Sequence, residues 1–510
     1  MATEIVFDKN PTQAGVVKRS ARKNSRKLLA VNLLLINLAL AGCANYRDIH
    51  SDSKPRAVDS FAASETLAGD ANINSPQTFQ WPTQQWWNTF GDAQLNALID
   101  EALAYNPSLD AAAARVKAAQ AFTGTARSAL YPQLDGAADV QYQHFSENWE
   151  FPPPFGGSSV FNNTLQINAS YELDFWGKNR NGVKAAVSAQ KAAEAEQQSA
   201  KLILTSAVAK TYIELQRLYD LREVTTQTLQ QRDSIFALTR QRVDAGIDSK
   251  AELKQAEAQL PALRGQLAQV DEAIGASRNA LAALLGAGPD RGLSIQRPQL
   301  VQPSATAAHL PASLPLDLLG RRPDIVAARW RVEAAQRDTD VAKAQFYPNV
   351  NLTGFIGYYS LGLDNITRDS SETYSVGPAI RLPIFAGGKL RSNLKSKYAA
   401  YDSAVASYDQ ALTDALRDVA DQLNALKWLQ VRQHEQLAAL EVAHSALDLA
   451  TQRYRAGLGN YLSVLSAETL VLAQEQLGTE LNARAIDLQV NLIKALGGGF
   501  DAQIERVAKQ

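Results

Sequence analysis

Four stretches of the chain alternate apolar and polar side chains with a period of two. In the first half, Leu165, Ile167, Ala169, Tyr171, Leu173 and Phe175 fall on one face, with Gln166, Asn168, Ser170, Glu172 and Asp174 on the other. A partner run carries Leu134, Ala138, Val140 and Tyr142 on its apolar side. The second half offers Val350, Leu352, Gly354, Ile356 and Tyr358, then Tyr374, Val376, Ile380, Leu382 and Ile384. This alternation predicts half-buried strands over about 134–145, 160–176, 348–360 and 373–385. Pro378 and Pro383 weaken the last of them, because proline removes a ladder donor.

Elsewhere the period changes. Val208, Tyr212, Leu215 and Tyr219 recur at 4-3 spacing, as do Leu412, Leu416, Val419, Leu423 and Leu426, and then Leu481, Ala485, Leu488 and Leu492. That spacing predicts coiled-coil seams between long neighbouring helices. From about 180 to 245 there is no proline, and Gly182 is the one glycine, so a helix there would reach on the order of 100 Å.

The pattern occurs twice. Arg115-Val116-Lys117-Ala118-Ala119-Gln120 matches Arg331-Val332-Glu333-Ala334-Ala335-Gln336 at an offset of 331 − 115 = 216, and Tyr131-Pro132 matches Tyr347-Pro348 at the same offset. Arg242-Val243-Asp244-Ala245-Gly246 matches Arg453-Tyr454-Arg455-Ala456-Gly457 at 453 − 242 = 211, as Leu285-Gly286 matches Leu496-Gly497. Ordered matches of this kind mark an internal duplication. Each half reads helix, two strands, very long helix, tight turn, long helix. The first repeat is expected over 91–320 with its turn near 246, the second over 321–499 with its turn near 457, and a tail over 500–510.

Composition narrows the class. The 510 residues carry a net charge of −1 with 20% charged side chains, which points to no nucleic-acid partner and to a folded chain. There is 1 Cys, so no disulfide framework or Cys-rich metal site can form. That cysteine follows a basic stretch (Lys18 to Lys27) and an apolar run from Leu28 to Leu40, the layout of a secretory signal. The segment Leu40-Ala41-Gly42-Cys43 resembles a bacterial lipobox, which implies a signal peptide over 1–42, lipidation of Cys43 and a lipid-anchored segment over 43–90. Ala44 follows Cys43, so transport to the outer membrane is the expectation. Past this leader no apolar run approaches the roughly 20 residues of a membrane-spanning helix.

Strands of about 10 residues with aromatic ends have the length of transmembrane barrel strands. A soluble sheet with one wet face fits the same alternation. If the strands do span a bilayer, every backbone N–H and C=O must be paired, so the sheet has to close. Four strands cannot close, and about eight leave an interior filled by side chains. Three copies are the smallest assembly with room for a lumen, which predicts a homotrimer.

The chain resembles the TolC-type outer-membrane factors, in particular the lipoprotein (NodT-like) branch that serves resistance-nodulation-division efflux pumps. The resemblance rests on the lipobox, the duplicated plan, the segment Leu319-Gly320-Arg321-Arg322-Pro323-Asp324-Ile325, the Tyr-Pro pairs before the strands, and the Arg-x-x-x-Gly turns. It implies an α+β membrane protein: a trimeric 12-stranded transmembrane β-barrel, four strands per chain, continued by a long periplasmic α-helical barrel of coiled-coil hairpins. The implied role is an exit duct in the outer membrane for small molecules, fed by an inner-membrane pump through a periplasmic adaptor.

Gly246 and Gly457 stand where a helix must reverse, since a glycine there takes the left-handed conformation readily. Ser249 followed by Glu252 is a capping box, and Asn460 can cap its counterpart. A plain helical hairpin accounts for these residues. The resemblance adds that Arg242, Gly246, Ser249, Arg453, Gly457 and Tyr461 form tips where the adaptor docks. It also places a periplasmic constriction at Leu462, Ser463 and Ser466. The two serines stand where the family carries acidic residues, and Glu468 lies further along.

Catalytic readings find little support. His50, His144, His309, His434 and His444 are scattered, without the i, i+4 pairing of a zinc helix. Gly387-Gly388-Lys389 lacks the rest of a phosphate loop, and no G-x-S-x-G elbow occurs. No enzyme, no cofactor and no metal are expected. Two rivals stay open: a duct for secreted polypeptides (type I secretion), and a lipid-anchored periplasmic coiled-coil adaptor without a pore.

Overall fold

The computed structural model describes residues 46–57, 60–61, 81–148, 152–301, 318 and 320–502. The signal segment and Cys43 lie outside these residues. The first repeat runs α1 (Ala93–Tyr105), α2 (Pro107–Ser128), β1 (Gln133–His144), β2 (Ser159–Leu173), α3 (Lys178–Asp244) and α4 (Lys250–Leu284). The second runs α5 (Pro323–Ala344), β3 (Asn349–Leu361), β4 (Glu372–Arg381), α6 (Lys389–Arg455) and α7 (Tyr461–Ala495). Corresponding helices match in length: α2 and α5 have 22 residues each, α3 and α6 have 67, and α4 and α7 have 35. The shift in offset from 216 to 211 falls between the first strand of each pair and the helix that follows the second.

The chain divides into two compact units, one of Met1–Ser53, Phe122–Val187 and Glu333–Ser403, the other of Lys54–Ala121, Ser188–Val332 and Ala404–Gln510. In the second unit an apolar core gathers Trp86, Trp87 and Phe90 with Leu95, Leu98 and Ile99 of α1, Val208, Tyr212 and Leu215 of α3, and Leu281 of α4. Three of the four residues Val208, Tyr212, Leu215 and Tyr219 are fully buried, and Tyr219 packs against the core they form. The phenol of Tyr212 donates to Asp92 Oδ2 at 2.9 Å, while Asp92 Oδ1 caps α1 through the N–H groups of Gln94 and Leu95.

Arg322 and Asp324 of the segment that opens the second repeat have a structural task in this unit. The buried guanidinium of Arg322 donates to the carbonyl of Ala495 at 3.2 Å, an orphan acceptor at the end of α7, and forks onto Asp324 at 3.1 and 2.7 Å. Asn106, its counterpart in the first repeat, donates to the carbonyl of Leu284 at the end of α4 at 2.8 Å. Each repeat thus ties off its last helix with the residue before the proline that opens α2 or α5.

In the first unit the four strands form one antiparallel meander in the order β1-β2-β3-β4, which leaves β1 and β4 as its edges. Two strands end earlier than the alternation predicts. β2 stops at Leu173 because the Asp174 carboxylate turns to accept the N–H groups of Asn179 and Arg180 at 3.2 and 2.8 Å, starting α3. β4 stops at Arg381, ahead of Pro383, so Leu382 and Ile384 leave the ladder. Beside these ends, Trp176 stacks on Tyr347 at 4.6 Å and donates to the carbonyl of Pro348 at 2.8 Å. The segment from Tyr46 to Ser53 straps the same region. Ile49 is buried with Ala342, Phe346 and Leu394, Asp48 pairs with Arg391, and the Ser51 hydroxyl donates to Asp402.

Candidate functional site

The sheet has two unlike faces. Register places Ile167 opposite Gly136 and Ile356, and Ile356 opposite Tyr374. Leu134, Val140, Tyr142, Leu165, Ile167, Leu352, Ile356, Tyr374, Val376 and Ile380 therefore share one face, and all are between 42% and 76% exposed. Among the described residues no core covers them. A patch of that extent on a water-soluble monomer would be costly at roughly 25 cal/mol per Å². The other face is a polar ladder. Asn168 donates to Asp135 at 3.1 Å, Asn162 to Gln143 at 3.1 Å, and the Tyr359 hydroxyl to Gln166 at 2.8 Å. A soluble sheet turns its apolar face inward, whereas this one leaves it open. Apolar-out, polar-in strands are the design of a membrane barrel with a wet interior.

The helical turns lie in the other unit. Both close by paired bonds of one type: Gly246 N–H to the Val243 carbonyl and Ile247 N–H to that of Arg242, then Gly457 to Tyr454 and Leu458 to Arg453, at 2.8–3.1 Å. The glycines take φ of +74° and +75°, as that closure requires. Ser249 and Glu252 cap α4 reciprocally, and Asn460 accepts the N–H of Ser463 at 3.0 Å.

Between the turns lies a buried polar knot. Arg242 forks onto Asp248 through Nε and Nη2 at 2.8 and 2.9 Å, and its Nη1 donates to the carbonyl of Tyr454 at 2.6 Å. The guanidinium stacks 4.4 Å above the Tyr454 ring. The phenol of Tyr454 donates to Asp248 at 2.6 Å and lies 2.8 Å from Thr239 Oγ1. The Arg242 fork holds the Asp248 carboxyl below the usual range, and burial pushes the Tyr454 phenol up to about 12. The knot joins the first hairpin to the second in one chain.

A second buried pair sits one step along. Arg232 Nε and Glu468 Oε2 are 3.6 Å apart, and neither atom finds a hydrogen-bond partner among the described residues. Arg232 Nη1 donates to Gln259 at 2.7 Å. Burial raises the Glu468 carboxyl, against the opposing pull of Arg232. An acid raised in the folded state favours folding most when protonated, so its penalty at neutral pH is relieved as pH falls. We expect amide protection over residues 461–471 to rise from pH 7 toward 4.5, the ordinary value of this carboxyl, and Glu468→Gln to flatten that rise. A hydrogen-exchange series over pH checks this, and equal slopes in both proteins would refute it.

The sequence-derived site residues thus divide. Gly246, Ser249, Arg453 and Gly457 are exposed at the turns, as are Leu462, Ser463 and Ser466 at the start of α7. Arg242 and Tyr461 are buried, so they shape the tip from behind its surface. Glu468 is buried against Arg232. Asp248, Tyr454, Thr239 and Arg232 were not singled out by sequence. The signal available was the polar 3-4 run Thr225, Thr228, Arg232, Thr239 and Arg242, all buried on one stripe of α3.

Known proteins share this plan. A family model described as outer membrane efflux protein matches the chain twice, over residues 98–287 and 314–498. The fusaric acid resistance protein FusA of Burkholderia cepacia is 38% identical over 72% of this chain and 68% of its own length. The multidrug resistance outer membrane protein MdtP of Escherichia coli strain K12 is 30% identical over 93% of this chain and 97% of its own. The crystal structure of the outer membrane protein VceC of Vibrio cholerae superposes with a TM-score of 0.78 at 41% identity, covering 82% of this chain and 100% of that one. A membrane-type sheet, paired long hairpins and relatives matched along most of the chain meet in one conclusion: the chain belongs to the outer membrane efflux protein family, as an export conduit of the outer membrane and not an enzyme.

Proposed function

We propose that three copies of this chain close one barrel of about twelve strands in the outer membrane, continued by a periplasmic barrel of the long helices. The observation that carries this reading is the four-stranded sheet with two edges and an uncovered apolar face. Lipid allows neither open edges nor unpaired backbone groups, and β4 of one copy against β1 of the next removes both. The signal peptide over 1–42 directs each copy to export and is removed ahead of Cys43, and a lipid on Cys43 anchors the mature chain. The adaptor docks at the exposed turns around Gly246, Ser249, Arg453 and Gly457, and passes cargo from an inner-membrane pump of the resistance-nodulation-division type. Small toxic compounds are the cargo class that fits, supported by the names of FusA and MdtP. Currents in a planar bilayer, with the mass of the detergent-solubilised species recorded alongside, test the reading. Discrete steps from a species of three chains are expected, and a folded monomer without current would refute it.

Leu462, 54% exposed at the start of α7, is the apolar element of the constriction in this reading. We expect Leu462→Ala to raise single-channel conductance, because truncation widens the narrowest ring without touching the buried knot. Unchanged conductance would remove Leu462 from the constriction.

A further inference from the structure

Where the apolar face of the sheet ends, the ends of β2, β3 and β4 border an open cleft of about 620 Å³. The stacked rings of Trp176 and Tyr347 line it. Its polar side holds the ion pair of Glu172 and Lys178, with Asp174 and Arg381. The apolar lining continues through Phe175, Ile384 and Phe385, which are 63%, 66% and 91% exposed. These are large apolar side chains held open by rigid neighbours: Trp176 is fixed to the Pro348 carbonyl, and Phe385 follows Pro383 by two residues. Such a surface calls for an apolar cover.

The amino-terminal strap leads to this place. The Tyr46 hydroxyl is hydrogen-bonded to that of Tyr347 at 2.9 Å, and its ring packs on Phe346 at 4.9 Å. Ile49, Asp48 and Ser51 hold the rest of the strap along α5 and α6. Cys43 is three residues before Tyr46 and lies outside the described residues. Three residues span at most about 10 Å, so the cysteine is tethered close to the Tyr347 wall. We propose that the cleft seats acyl chains carried by Cys43, so that the anchor is folded onto the rim of its own sheet as well as into the bilayer. The inference rests on the lipidation of Cys43 put forward above.

The test uses the full chain made in bacteria fed a palmitic-acid analogue that carries a diazirine and an alkyne. The purified protein is weighed intact, irradiated, and its adducts mapped by mass spectrometry. Expected are an acylated intact mass and adducts on the peptides holding Phe175–Trp176 and Ile384–Phe385. Phe385→Asp, at a side chain that touches little of its own chain, is expected to lose the second set of adducts while keeping the acylated mass. Acylated protein with adducts elsewhere overturns the cleft alone. An intact mass without lipid overturns both the cleft and the lipidation it rests on. The same adducts in Cys43→Ser would assign the cleft to free membrane lipid and overturn the proposal.

Discussion

Ile167→Arg is expected to abolish assembly in the outer membrane, whereas Thr164→Arg, on the same strand, is expected to be tolerated. Ile167 lies near the middle of β2 on the apolar face, flanked by Gly136 and Ile356. An arginine on the lipid face of a barrel costs about 2–4 kcal/mol near the bilayer midplane. In a symmetric assembly that cost recurs in every copy. Thr164 pairs with Asp139 and Tyr359 on the polar face, where a cation meets a carboxylate and water. The fraction of each variant recovered in outer membranes, and its resistance to unfolding in detergent, reads the contrast. A water-soluble sheet would accept both arginines equally, and that result would remove the membrane assignment of this face.

Asp248→Ala is expected to loosen the helical turns by about 3–5 kcal/mol, the cost of leaving one member of a buried ion pair alone. The carboxylate holds both the fork of Arg242 and the phenol of Tyr454, so its loss strands the guanidinium and leaves the phenol with Thr239 Oγ1 alone. Limited proteolysis between residues 242 and 249 and between 453 and 460 follows the loss. Arg242→Ala added to Asp248→Ala should restore part of the protection, because the stranded charge goes with it. The pH profile carries the same signature. Asp248 titrates below its ordinary value of 3.8 when folded, so its contribution is complete above that value and is lost as pH falls through the lower, folded one. A turn equally resistant in wild type and Asp248→Ala would show that the knot holds nothing.

Much of the architecture is legible in local pattern, for reasons that also mark where legibility stops. Helix spans, glycine turns and the capping box at Ser249 depend on near neighbours, and all stand where spacing places them. The duplication is visible because both repeats keep their helix lengths. The strand ends were overestimated because Phe175, Leu382 and Ile384 continue the alternation into the rim, where they line a cleft instead of a ladder. The buried knot was illegible for another reason. Arg242 meets Asp248 six residues on and Tyr454 in the other repeat, and a polar residue on a long helix reads as solvated until its distant partner is known. Tyr461, which the resemblance places at the tip, is buried and packs with Val464 and Tyr454.

The duplicated turns leave two arginines at one position with different fates. Arg242 is enclosed by the knot, whereas Arg453 stands exposed at the matching place. A gene that doubles hands each copy the same residue and lets one be conscripted while the other drifts. Sequence change at position 453 should therefore be cheap and change at 242 dear, although the two stand at matching places of the repeat. If the adaptor docks as proposed above, the second turn is where its recognition can change, and the first turn supplies the constancy against which such change can accumulate.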